Sequence, residues 1–219
     1  MTETATAPDP ILDHQFDDLE QQHDATVLGM WAFLATEVMF FGGLITAFIT
    51  YRTMAPQAFE EASRHLDVTL GGINTAVLLC SSLTMALAVN EAQRGQRRRV
   101  VLFLVLTMIL GASFLGIKAV EYYHEYEHHL VPALNFSYTG ADAGHVELYF
   151  VLYFFMTGLH AIHLIIGIVL VGIIAVLVER QWFSGSGALP VEVTGLYWHF
   201  IDIVWVFLYP LLYLIDVHK

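Results

Sequence analysis

Five apolar runs separated by short polar stretches dominate the chain, at about residues 27–51, 69–90, 100–121, 146–178 and 192–215. Each reaches the roughly 20 residues that a helix needs to cross about 30 Å of hydrocarbon. The runs are continuous rather than alternating, and they are too long for the strands of a membrane barrel. Helices satisfy their own backbone groups in lipid, so the pattern predicts an all-α membrane protein, a bundle of five transmembrane helices. The fourth run exceeds what the bilayer requires, so it is expected to tilt or project beyond the lipid. Residues 27–219 read as one five-helix domain, and residues 1–26 as an acidic N-terminal tail.

Composition agrees with the pattern. The chain is 57% hydrophobic and 14% charged with a mean hydropathy of +0.61, which excludes an ordinary soluble domain. The tail carries seven acidic residues and no Lys or Arg, so it lacks the basic and apolar regions of a secretory signal. Pro8 and Pro10 discourage a continuous helix there, and a mobile or surface-lying segment is expected.

Basic residues set the expected orientation. Arg94, Arg97, Arg98 and Arg99 crowd the turn between the second and third runs, and Arg180 follows the fourth; the opposite side has Arg52, Arg64 and Lys219. The positive-inside rule then puts the N-terminus in the cytoplasm and the C-terminus outside. A net charge of -12 leaves this unchanged and argues against nucleic acid as a partner. The lone Cys80 excludes a disulfide framework and reads as a small apolar filler.

Ionisable groups at membrane depth are costly, so each needs a reason. Glu37 lies about ten residues into the first run, roughly 15 Å deep at 1.5 Å per residue. Burial there disfavours a bare anion, so a protonated or hydrogen-bonded carboxyl is expected. An interhelical hydrogen bond and a role in proton transfer or lipid contact both fit it. TGLHAIH sets His160 and His163 three residues apart, and YWHFID does the same for His199 and Asp202. Three imidazoles and two carboxyls on three helices are material for a metal or haem site. A di-iron bundle site, however, wants Glu-x-x-His on two helices, and no run contains it. Hydrogen-bonded core histidines are therefore expected. Lys118 falls near the end of the third run, where it can snorkel to the surface and pair with Glu121 at i+3; Tyr122 suits the interfacial aromatic belt with Tyr123 and Tyr126. EYYHEYEHHLVP beyond it reads as a solvated loop. Ser82-x-x-x-Ala86 and Ala112-x-x-x-Gly116 are small-residue spacings that permit close helix packing.

At these residues the chain resembles subunit III of the haem-copper oxidases, the cytochrome c oxidase family. GMWAFLATEVMFFGGLITAF resembles the family's helix with a carbodiimide-reactive glutamate, and LGGINTAVLLCSSLTMALA the next helix. LGASFLGIKAVEYYH, TGLHAIHLIIG and YWHFIDIVWVFLYPLLYL resemble the helices that follow. The resemblance implies a subunit with no redox centre and no cofactor of its own, the haems and copper lying in partner subunits. It implies packing on subunit I, with subunit II and a small subunit IV or a larger respiratory supercomplex nearby, and phospholipid bound between helices. It further implies support of proton uptake and of catalytic stability in oxygen reduction, and it suggests His163 as the hydrogen-bond partner of Glu37. Many members have two further N-terminal spans, whereas this chain resembles the five-span bacterial form. Cytochrome c is the expected electron donor, from YWHFIDIVW and the outer loop. A quinol oxidase subunit and an accessory subunit of a nitric oxide reductase share the motifs. Outside the family, the alternatives are a proton-coupled transporter, which would show repeats and broken helices that this sequence lacks, and a haem-carrying membrane anchor.

Overall fold

The computed structural model describes residues 18–132, 134–138, 140, 142–180 and 188–215. These form α1 (Leu19–Met54), α2 (Pro56–Ser63), α3 (Val68–Gln93), α4 (Arg97–Glu127), α5 (Ala143–Glu179) and α6 (Leu189–Tyr213). There is no strand among the described residues. Five helices are long and apolar enough to cross a membrane; the eight-residue α2 is not one of them.

Local chemistry sets the helix starts. Asp18 caps α1 by accepting from the Gln21 N–H at 2.7 Å, and Asp67 caps α3 by accepting from Thr69 and Leu70. Pro56 and Pro190 open α2 and α6, where a missing N–H carries no penalty. Gly95, at φ +69°, makes the left-handed turn between α3 and α4 that a residue with a side chain resists. On α1, Thr36, Thr46 and Thr50 donate to carbonyls three or four residues back, so these exposed hydroxyls are satisfied without leaving their helix.

Two spans differ from the expected boundaries. α1 begins at Leu19, so residues 19–26 extend the first helix; the expectation attached to Pro8 and Pro10 lies outside the described residues. α4 runs on to Glu127, so most of the stretch expected as a solvated loop is helix.

The long helices alternate in direction. One end of the bundle carries the α3–α4 turn with its arginines, where Arg97 meets Glu179 of α5 at 3.6 Å. The other end carries α2 and the α4–α5 connection, tied together by Tyr138, whose hydroxyl donates to Glu61. That hydrogen bond holds the Tyr138 phenol above its ordinary value. α3 and α4 form a tight hairpin, and α6 is central, packed against α1, α3 and α5. Its Trp198 and Trp205 are fully buried, Trp205 edge-on to Phe114 at 4.8 Å. The outside is apolar as well: Met39, Leu28, Leu83 and Phe207 are all more than half exposed, as suits a surface facing lipid or neighbouring helices. Cys80 is on that outer surface rather than filling the bundle. Close packing uses Gly111, not the Ala112–Gly116 spacing, whose two residues face outward.

Candidate functional site

Glu37 is half-way along α1, and His163 faces it from α5. His163 Nε2 and Glu37 Oε2 are 3.2 Å apart, and both side chains are less than one-fifth exposed. The other ring nitrogen, Nδ1, lies 2.8 Å from the Leu159 carbonyl. A carbonyl only accepts, so Nδ1 carries a proton. In a neutral ring Nε2 is then an acceptor, and the contact to Glu37 holds one proton whether it sits on the carboxyl or the imidazole. Phe41 meets the ring edge-on at 5.3 Å, and the Tyr197 hydroxyl donates to the His163 carbonyl.

The remaining imidazoles are separately housed. His199 Nδ1 is 2.8 Å from the Ser82 hydroxyl on α3. His160 was expected to be hydrogen-bonded, but neither of its ring nitrogens has a protein partner. It is packed instead between Phe114 at 5.5 Å and Trp205 at 5.1 Å, an aromatic cage that offers no acceptor. Asp202, one turn beyond His199, is buried with both carboxyl oxygens unpartnered. Among the described residues, no three His, Cys, Asp or Glu side chains come together as metal ligation requires.

Lys118 departs furthest from expectation. It does not snorkel to an interface: its side chain is 6% exposed, and Glu121, 4% exposed, faces it at 2.9 Å. The snorkelling reading assumed that the helix ends with the apolar run; α4 continues past Lys118 and turns its polar face onto α5 and α6. There the ammonium also donates to the hydroxyls of Tyr153 and Tyr213, at 2.9 and 2.8 Å. Both phenols in turn donate to Glu121 Oε1, at 3.2 and 2.6 Å. Rings of Tyr122, Tyr153, Trp205 and Tyr213 surround the ammonium at 4.9 to 5.6 Å. Tyr122 is half-buried with its hydroxyl 2.6 Å from Thr157, so it belongs to this cluster and not to the aromatic belt. Tyr123 and Tyr126 do face outward.

Sequence reasoning missed Tyr153, Tyr213 and the buried Glu125. The signal was there in the spacing: Glu121 and Tyr122 follow Lys118 by three and four residues, and Glu125 follows them by four and three, so all share one helical face.

A family model described as cytochrome c oxidase subunit III matches residues 17–217, nearly the whole chain and all five spans. The chain belongs to the cytochrome c oxidase subunit III family. Among its relatives in that family, a cytochrome c oxidase subunit 3 from Corynebacterium diphtheriae is 32% identical over 191 residues, 86% of this chain and 87% of the relative. A quinol oxidase subunit 3 from Bacillus spizizenii is 31% identical over 193 residues, 87% of each chain. A cytochrome c oxidase subunit 3 from Bacillus subtilis is 31% identical over 190 residues, 87% of this chain and 86% of the relative. The chain is thus a multi-pass subunit III of a haem-copper oxidase, part of a complex with other subunits.

Proposed function

We propose that this chain is the non-redox subunit III of a proton-pumping aerobic terminal oxidase fed by cytochrome c. It packs on subunit I in a bacterial inner membrane, with its N-terminus in the cytoplasm and its C-terminus outside. The observation that carries the reading is the pair of Glu37 and His163: a carboxyl and an imidazole at mid-membrane, spent on joining α1 to α5. Lys118 and Glu121 repeat the theme between α4, α5 and α6. Such a chain braces a larger machine and leaves oxygen reduction to the haems and copper of subunit I, with electrons arriving through subunit II. The arginines at the α3–α4 turn support the orientation. A groove of about 440 Å³ between α1, α3 and α6, lined by Val27, Val89 and Leu196 with His23 and Glu192 at its edge, suits a phospholipid acyl chain. Bound lipid there supports sustained proton uptake by keeping the subunit seated.

The second reading is quinol as donor, because relatives named quinol oxidase subunit 3 match this chain as closely as those named cytochrome c oxidase subunit 3. Purification through a tag on this chain tests both. The expected product contains haem and copper and oxidises reduced cytochrome c. Oxidation of quinol in place of cytochrome c would move the assignment to the second reading. A chain that purifies alone, or that shows a Soret band by itself, would overturn both.

A further inference from the structure

At the α2 end of the bundle, α4 carries a second carboxyl that the Lys118 cluster does not use. Glu125 is 4% exposed, and neither of its carboxyl oxygens has a hydrogen-bond partner. The reason lies in the proton inventory around it. An ammonium has three protons. Those of Lys118 go to Glu121, Tyr153 and Tyr213. The hydroxyls of Tyr153 and Tyr213 donate to Glu121, and that of the neighbouring Tyr149 donates to the Leu212 carbonyl at 2.8 Å. Lys118 and Glu121 therefore close on themselves as a neutral pair, and Glu125 is left buried beside them, within electrostatic reach of Lys118 and Tyr153 but accepting no hydrogen bond from either. A carboxylate in that position is strongly disfavoured, whereas a carboxylic acid is not.

Glu125 nevertheless has a route to water. Together with Glu121 it lines a cavity of about 200 Å³ whose other walls include His65, Asp67, His124 and His128. Those four residues are exposed, so the cavity leads from the wall that Glu125 helps form to the surface. Asp67 is committed to capping α3. Three imidazoles stand along the cavity wall, His65 from the α2–α3 connection and His124 and His128 from α4.

We infer that Glu125 is a proton-binding site, a buried carboxylic acid that exchanges its proton with the aqueous phase at the α2 end through the histidine-lined cavity. The site is separate from Glu37 and His163, and it depends on neither electron donor.

Infrared difference spectroscopy of the purified oxidase complex tests it, comparing the parent with Glu125→Gln at neutral pH. The expected difference spectrum contains one carboxylic-acid C=O stretching band, present in the parent, absent from the variant, and shifted to lower frequency soon after transfer to heavy water. Ionised-carboxylate bands alone would overturn the inference. So would failure of Glu125→Gln to assemble, because the amide reproduces a neutral acid. In a second variant carrying His124→Ala and His128→Ala, the band is expected to persist and to exchange several-fold more slowly. An unchanged exchange rate would reject the cavity as the route.

Discussion

A Cβ added to Gly111 of α4 would stand 2.8 Å from the outer edge of the Trp198 indole on α6, closer than real Cβ contacts come. The indole is fully buried, and its N–H donates to Ser81 at 3.1 Å, so it is fixed from the α3 side as well. Gly167 of α5 also admits this ring, a Cβ there standing 3.2 Å from it. Gly111→Ala is therefore expected to lower the stability of the subunit by about 1–3 kcal/mol through overpacking. Gly116→Ala, on the same helix with open space around its Cα, is expected to be neutral or slightly stabilising. Thermal denaturation of the detergent-solubilised complex separates the two; equal midpoints would show that the indole yields.

Removing the ammonium of Lys118 strips three donated hydrogen bonds from a buried site and leaves Glu121 without a cation. Lys118→Met is expected to cost about 3–5 kcal/mol, as breaking a buried pair does. Adding Glu121→Gln removes the orphaned charge and should recover part of the loss. The amount of subunit recovered in the membrane complex reads both. A double variant no better than Lys118→Met would show that the pair is not coupled.

His160 has a different expectation. Its nitrogens have no protein partner, so His160→Leu exchanges an unsatisfied polar ring for an apolar side chain of similar depth. Such an exchange is near neutral or stabilising. Complexes carrying His160→Leu or His199→Ala are expected to keep the parent's iron and copper, measured by elemental analysis. Loss of either metal would assign these imidazoles a ligand role.

Much of this was legible in the sequence, because a bilayer imposes a minimum length on every apolar run. All five spans announce themselves, and Glu37 is conspicuous as a carboxyl inside one. α2 was not visible: eight residues, PQAFEEAS, bury Phe59, Ala58 and Ala62 against α5, and that packing is a tertiary fact. The fate of Lys118 was misjudged because hydropathy marks where lipid ends, not where a helix ends. Once α4 is known to reach Glu127, the spacing of Lys118, Glu121 and Glu125 places all three on its buried face. The pairing of Glu37 with His163, 126 residues away, came only from family resemblance, since no local pattern specifies which helices cross.

The shared proton between Glu37 and His163 is the central claim, and the catalytic lifetime of the purified oxidase under prolonged turnover tests it most directly. In Glu37→Gln the amide still donates to His163 Nε2, so assembly and lifetime should match the parent. In Glu37→Ala the imidazole loses its partner, α1 loosens from α5, and inactivation should come several-fold sooner. Lifetimes for both variants indistinguishable from the parent would contradict the account.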